Sequence, residues 1–241
     1  MPHKSPYNFF APFYDEVVGD RSDVARYLLR LIRLYAPSAR SVLELGCGSG
    51  TMLRVLSRHY QTTGVDNSSS MLKLARRRAP KAKLRMGDIR DLSLAEKFDV
   101  VVCPFDTMNH ITSRREWDRT FRVARRHLKR GGVFIFDVNT RHKMMRYCNE
   151  PVEVQFLRDG FSMVSVRHAK RDVFEVVLSH YSQKRRDIFE RRTLTIRELI
   201  LPLSEIRRRL ARAFSRVTIL DPEAGRVHRE SEEVFFIASS E

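Results

Sequence analysis

Hydrophobic and polar positions along this chain follow two periods, and the switch between them marks out its organisation. Over Ser22–Tyr35 the apolar residues Val24, Tyr27, Leu28, Leu31 and Leu34 recur at the three-to-four spacing of a helix with one buried face. The spacing then predicts a short strand at Ser41–Leu45, a helix over 51–60, a strand over 61–65, a helix at Ser69–Arg78 and a strand over 82–86. Phe98–Cys103, FDVVVC, is a continuous apolar run of the kind expected for a strand buried on both faces. A further helix is predicted from Ser113, with Glu116 three residues later as the partner in a capping box. Trp117, Phe121, Ala124 and Leu128 form its inner stripe, Gly131 and Gly132 are expected to stop it, and VFIFDV (133–138) reads as the next strand. Strands alternating with helices predict an α/β fold with a parallel sheet covered by helices on both faces.

From 152 to 200 the period shortens to two, as in VEVQFL, FSMVSV and VFEVVLSHYS, and Asp159-Gly160 between the first two runs is a hairpin signal. A small antiparallel sheet of three or four strands is expected here. One helix over 203–213 and two strands, Arg216–Leu220 and 233–238, close the chain. The antiparallel segment therefore reads as an insertion after the fifth strand of a single α/β domain covering 1–241. Its expected place, over 150–200, is near the carboxyl ends of the strands, where open α/β sheets hold their ligands. Residues 1–35 are expected to form an N-terminal lid and helix.

Composition narrows the class. Of the 241 residues, 42% are hydrophobic and 31% charged, which excludes disorder over most of the length. No apolar run approaches the roughly 18 residues of a membrane span, and MPHKSPYNFF lacks the apolar core of a signal peptide. Three cysteines without a CxxC pair argue against a disulfide framework or a zinc site and fit a reducing cytoplasm. The net charge of +16 has three readings. One is a footprint for nucleic acid or acidic lipid, one is a set of solvated helix faces, and one is an anionic small substrate. The clusters at Arg76, Arg77 and Arg78, at Arg125 and Arg126, and at Arg207, Arg208 and Arg209 are scattered over predicted helices, which favours solvated faces.

The strongest local signal is VLELGCGSG at 42–50, a strand delivering the chain into a glycine turn that opens a helix. Gly46 and Gly48 lack a Cβ, so a ligand can approach the backbone closely. The third glycine comes one residue too early for a dinucleotide fingerprint, and no GK[ST] follows for a P-loop. Glu44 would repel a pyrophosphate but attract a cationic amino group. Asp66 lies 20 residues beyond Gly46, at the end of the next strand, where an acidic side chain can hold ribose hydroxyls. Gly87 and Asp88 follow the third strand, placed for Asp88 to accept from an adenine amine. Together these sites describe a nucleoside that carries a cationic amino acid, which is S-adenosylmethionine.

With ELGCGSG, GVDNSSSML, GDIRDL, FDVVVCPFDTMNHI and LKRGGVFIFDVN in this order, the chain resembles the class I S-adenosylmethionine-dependent methyltransferases over about 40–140. That resemblance implies a Rossmann-like seven-stranded sheet. It places Gly46, Cys47 and Gly48 close to the methionine part of the cofactor and Asp66 on the ribose. It places Asn67 and Met71 along the adenine, Asp88 on its amine with Ile89 against the ring, and Phe105 in the cofactor site. More narrowly, NFFAPFYDEVV and the loop PFDTMNHI look like the N-methyltransferases that dimethylate amino groups on nucleotide-linked deoxy-sugars, in which the insertion contributes to the substrate pocket.

Methyl transfer is an in-line displacement at a sulfonium carbon, so the protein has to align the nucleophile and exclude water. An ammonium has no lone pair and must first lose a proton, and a histidine is suited to take it. His110 is assigned as the base or as the group that orients the nucleophile. Tyr14 is the second candidate, for the cofactor carboxylate or the substrate, followed by Tyr7 and Arg26. One of His180 and Tyr181 in the insertion is a candidate substrate contact, with core or edge packing the favoured reading. Arg167, His168, Lys170 and Arg171 are candidates for a phosphate or else a solvated hairpin. Cys47 and Cys103 read as packing residues, Cys148 has no assigned role, and no metal is expected. The expected partner is a small-molecule acceptor, anionic in one reading, with a nitrogen favoured over an oxygen, and no membrane. RNA or protein is the alternative acceptor, weakened by the absence of a [DN]PP[YF] in the loop CPFDTMNH. A domain that binds the cofactor without catalysis is the third alternative. The expected assembly is a monomer or homodimer.

Overall fold

The computed structural model describes residues 7–19 and 21–240. The remaining residues of the expected N-terminal lid, 1–6 and 20, lie outside the described residues. The chain runs α1 (Tyr7–Phe10), α2 (Tyr14–Val18), α3 (Ser22–Tyr35), β1 (Ser41–Leu45), α4 (Thr51–Leu56), β2 (Gln61–Asp66), α5 (Ser69–Arg78), β3 (Lys83–Met86) and β4 (Phe98–Cys103). A 3-10 turn (Thr107–His110), α6 (Arg114–His127), β5 (Leu128–Asn139) and α7 (Arg141–Asn149) follow. The chain closes with β6 (Glu153–Leu157), β7 (Gly160–Lys170), β8 (Val173–Arg185), β9 (Ile188–Leu199), α8 (Leu203–Leu210), β10 (Arg216–Leu220) and β11 (Glu233–Ser239). The main sheet has seven strands in the order β3-β2-β1-β4-β5-β11-β10, and β6 to β9 form a separate four-stranded sheet. In the main sheet β11 runs antiparallel to both β5 and β10, and the other pairs are parallel. The second sheet is antiparallel throughout.

The period of two in each central strand sorts its side chains between two helical layers. Leu43, Val101, Cys103, Phe134, Phe136 and Phe236 pack with Trp117 and Phe121 of α6 and with Ile206 and Leu210 of α8. The intervening Val42, Val100, Val102, Ile135 and Phe235 pack with Leu28, Leu31 and Ile32 of α3. Both faces are buried, so these strands read as apolar runs rather than as alternations.

Three local expectations are corrected, and one helix is added. The helix after the glycine loop ends at Leu56, because Arg58 N–H and His59 N–H bond back to Val55 and Leu56 and tighten the last turn. The glycine pair does not stop α6. That helix ends at His127, and Gly131 (φ 72°) and Gly132 lie inside β5. A Cβ on Gly132 would come within 2.9 Å of the Asp99 carbonyl oxygen, where the β4–β5 register shifts. The Ser113 side chain makes no capping hydrogen bond, and Glu116 turns instead to Arg90 Nη1 at 2.9 Å. The helix α7, which the period gave no sign of, is capped by Thr140, whose Oγ1 accepts from Lys143 N–H at 3.3 Å.

Among the described residues no helix is long and apolar enough to cross a membrane. Many arginines are tied to acids on the surface: Arg114 to Asp172 and Glu205, Arg167 and Arg197 to Glu175, and Arg209 to Glu205 and Asp118.

Phe136 stacks between Phe134 (ring centroids 4.9 Å apart) and Phe236 (5.0 Å). Phe136→Ala is expected to remove about 3–5 kcal/mol of stability through the cavity it leaves, read as a shifted denaturant midpoint at constant slope.

Candidate active site

The strand β1 pairs with β2 on one side and β4 on the other, so the chain leaves β1 at the point where the strand order reverses. A crevice opens there beyond the carboxyl ends of the strands. The turn after β1 is folded by hydrogen bonds from its own backbone. Gly46 N–H and Cys47 N–H both donate to the Val65 carbonyl, at 2.8 and 2.9 Å. Asp66 ties the turn to the next loop, its Oδ2 accepting from Gly48 N–H and its Oδ1 from Ser68 N–H, each at 2.8 Å. Burial raises the Asp66 pKa above the ordinary carboxylate value, with the amide donors of Ser68, Gly48 and Asn67 pulling the other way. Gly46 is left-handed (φ 74°), and a Cβ on it would come within 2.4 Å of Thr107 Cγ2. At Gly48 (φ 51°) only the Tyr14 hydroxyl, 4.0 Å away, would face a Cβ, so that backbone is open to a ligand.

A cavity of about 300 Å³ lies over this turn. Of the expected site residues, Tyr14, Gly46, Cys47, Gly48, Asp66, Asn67, Met71, Gly87, Asp88, Ile89, Phe105 and His110 line it, as does Tyr7. The N-terminal segment covers it. Asn8 Oδ1 accepts from Ser68 Oγ (2.7 Å) and Ser70 N–H (3.2 Å). Asp15 accepts from Ser49 Oγ at 2.8 Å and forms an ion pair with Arg78. Burial opposes the Asp15 charge, but the bonds from Arg78 and Ser49 prevail and hold its pKa below the ordinary value. The other side of this segment packs on the antiparallel sheet, with Phe10 against Leu178 and Leu194.

The wall opposite the glycine turn is the 3-10 turn after β4. Phe105 (φ 59°) and Asp106 (φ 48°) are left-handed, a conformation that costs non-glycine residues about 1–2 kcal/mol each. Three bonds hold the segment in place. Asp106 N–H donates to the buried carboxylate of Asp137 (2.8 Å), Asn109 Nδ2 donates to the Leu199 carbonyl on β9 (3.1 Å), and Trp117 Nε1 donates to the Ile111 carbonyl (2.8 Å). His110 is thereby fixed on the cavity wall. Its Nε2 lies 3.3 Å from the Tyr7 hydroxyl, and its buried Nδ1 has no partner. Burial lowers its pKa below 6.5, with the Asp106 charge acting against that, so the imidazole is neutral at pH 7 and free to accept a proton. Burial also raises the Tyr14 and Tyr7 hydroxyl pKa values, so both stay protonated donors.

Other expected residues stand elsewhere. Glu44 is 1% exposed and is not among the residues lining the cavity, with Oε2 unpartnered. Burial, then the charge of Asp66, pushes its pKa well up. His180 and Tyr181 do not reach the cavity. Alternation on β8 turns the His180 ring onto Phe13 (3.7 Å between centroids), with Nδ1 bonded to Ser162 Oγ (3.0 Å), and stacks Tyr181 on Phe161 (4.6 Å). Asp88 lines the cavity, but its carboxylate is held by Arg90. Arg26 is exposed and bonds Ser22 Oγ on its own helix. Arg167 is paired with Glu175, and His168 is stacked on Phe174, so that hairpin is occupied by its own contacts.

Two residues escaped the sequence reading. Arg21 lines the cavity with its guanidinium 5.8 Å from the Phe105 ring centre, and its buried Nε has no partner. Glu198 of β9 stands behind His110 and is 4% exposed. Neither carries a local motif.

The donor set suits the cofactor implied above. An open glycine backbone, a carboxylate at the end of β2, apolar Met71 and Ile89, and an unpartnered guanidinium nitrogen surround one cavity. These are partners for an amino-acid moiety, a ribose, an aromatic ring and a carboxylate.

The fold is that of the class I S-adenosylmethionine-dependent methyltransferases, and residues 42–132 match the family model for the methyltransferase domain. Within that class, the chain is 37% identical over 111 residues to the dTDP-3-amino-3,6-dideoxy-alpha-D-glucopyranose N,N-dimethyltransferase of Streptomyces fradiae, covering 46% of this chain and 44% of that protein. It is 33% identical over 139 residues to the dTDP-3-amino-3,4,6-trideoxy-alpha-D-glucopyranose N,N-dimethyltransferase of Streptomyces venezuelae, covering 57% of each. The matches span about half the length of these curated relatives. A solved S-adenosylmethionine-dependent methyltransferase from Clostridium acetobutylicum superposes with a TM-score of 0.82 at 22% identity, over 98% of this chain and 99% of that one.

Asp15→Ala removes the ion pair that fastens α2 over the glycine turn. It is expected to weaken S-adenosylmethionine binding by ~10-fold, measured by calorimetric titration, with the fold intact by circular dichroism.

Proposed function

We propose that the protein is an S-adenosylmethionine-dependent N-methyltransferase whose acceptor is the amino group of a nucleotide-linked deoxyamino sugar. The observation that carries this reading is His110, a neutral imidazole on the cavity wall with one ring nitrogen beside the Tyr7 hydroxyl and the other unpartnered. The relatives in the matched region are named as amino-sugar N,N-dimethyltransferases, which supports the same acceptor class. When bound, the cofactor supplies an electrophilic sulfonium methyl group and a neutral thioether leaving group.

The residues of the chain divide the remaining work. The Gly46–Gly48 backbone and Asp66 hold the amino-acid and ribose ends, with Arg21 as the partner for the carboxylate. Met71 and Ile89 flank the adenine position. Tyr7 and Tyr14, on the N-terminal cover, keep water from the methyl position and donate hydrogen bonds. His110 receives the proton that the acceptor ammonium must lose before its lone pair can attack. The +16 charge favours an RNA acceptor as a second reading. The acid partners of Arg114, Arg167, Arg197 and Arg209 speak against it.

Labelled methyl transfer should be screened against dTDP-linked amino sugars, phenols and tRNA. Label is expected in the amino sugar, and label in tRNA alone would contradict the reading. His110→Ala is expected to lower turnover by at least ~100-fold while cofactor affinity stays within about 3-fold.

A further inference from the structure

Glu198 reaches the site from outside the α/β sheet, near the end of the last strand of the antiparallel sheet. One polar atom each of Glu198, Asp106 and His110 lie within 4.8 Å of one another. Asn139 holds the two carboxylates side by side, its Nδ2 donating to Asp106 Oδ2 at 2.9 Å and to Glu198 Oε2 at 3.4 Å. Two carboxylates at such range do not both ionise without a counter-charge. Burial, then the charge of Asp106, pushes Glu198 up to about 8, opposed by Asn139 and Lys143.

The groups facing this cluster come from every neighbouring element. Tyr7 on α1 and Tyr14 on α2 are neutral hydroxyls. Asp66 on β2 and Asp137 on β5 are acids whose charge burial disfavours. Glu233 on β11 is a further acid whose charge burial and Asp106 disfavour, and the cations are Arg21, before α3, and Lys143 on α7, whose Nζ donates to Asn139 Oδ1 at 2.8 Å and lies 3.9 Å from Glu233 Oε2. The Lys143 charge is shared between Glu198 and Glu233. An imidazolium at His110 would add a second counter-charge, beside that of Lys143, to the carboxylate pair.

We propose that Glu198, with Asp106, is the positioning residue that makes His110 a base: the carboxylate pair behind the imidazole stabilises the imidazolium formed when the acceptor ammonium gives up its proton. This rests on the N-methyltransferase reading. In the step, the N–H bond of the ammonium breaks, its electron pair stays on nitrogen, and the proton binds a ring nitrogen of His110. The freed pair then forms the N–C bond to the methyl carbon as the C–S bond breaks, its electrons leaving with sulfur. One proton per methyl group is released to solvent once His110 discharges. The insertion is then part of the catalytic apparatus as well as a wall, which explains why Asn109, beside His110, is bonded to the β9 backbone next to Glu198.

The test is the titration of His110 followed by NMR of isotope-labelled histidine in the full chain, which needs no acceptor. In the wild type the His110 signals are expected to move in two steps: a lower one for its own protonation, and an upper one near 8 that senses the ionisation of Glu198. Glu198→Gln should abolish the upper step and keep the lower, Glu198→Asp should retain both, and Asp106→Asn should move the upper step down. With an amino-sugar acceptor, Glu198→Gln should lower kcat ~10-fold with KM within about 3-fold, and kcat should no longer follow the upper step. A His110 titration identical in the wild type, Glu198→Gln and Asp106→Asn overturns the proposal while leaving the N-methyltransferase reading standing. Copurification of one divalent metal per chain, lost in Glu198→Gln, also overturns it, because the three groups would then be metal ligands. Failure of the wild type to methylate any amine, with transfer to another acceptor, overturns the functional reading and with it the catalytic role of Glu198.

Discussion

The Asp66 carboxylate is the tie on which the site depends. One oxygen accepts from Gly48 in the turn after β1 and the other from Ser68 in the turn after β2. With the Val65 carbonyl receiving Gly46 and Cys47, this fixes two loops at the reversal of strand order and leaves their concave side open. The sheet makes a crevice there by topology alone. The carboxylate turns the crevice into a shaped cavity, at the cost of holding an acid where burial disfavours its charge. Such a group has spare acceptor capacity and an incentive to meet hydroxyl donors.

Around that tie, three pieces from distant parts of the chain converge. The N-terminal segment is fastened by Asp15 to Ser49 and Arg78 and by Asn8 to the start of α5. The 3-10 turn is held in a left-handed entry by the Asp137 carboxylate. The antiparallel sheet supports the N-terminal cover through Leu178 and Leu194 and reaches the 3-10 turn through Leu199. The strain at Phe105 and Asp106 is stored where a side chain has to be aimed, which is where such strain tends to be found.

The sequence made the α/β half of the structure legible because its signals are local. Apolar runs, the glycine turn and an acid at the end of each early strand locate the cavity from one strand–turn–helix unit at a time. What escaped it depends on contacts between segments far apart. Glu198 sits in an alternation, TIREL, like any exposed strand position, and only pairing across the domain buries it behind His110. Arg21 precedes a helix whose own pattern explains nothing about its direction. Gly131 and Gly132 carry the local mark of a helix stop, yet they let β5 pass the Asp99 carbonyl. His180 and Tyr181 pack on Phe13 and Phe161 and are not among the residues lining the cavity, since which strand face meets it is set by register with neighbours.

The glycine turn and Asp66 are expected to hold S-adenosylmethionine in this cavity. Isothermal titration of the purified chain measures that directly. Saturable one-to-one binding is expected, weakened by ~10-fold or more in Asp66→Ala at unchanged stoichiometry. No saturable heat with either the sulfonium compound or its demethylated thioether, from a chain shown to be folded, would contradict it.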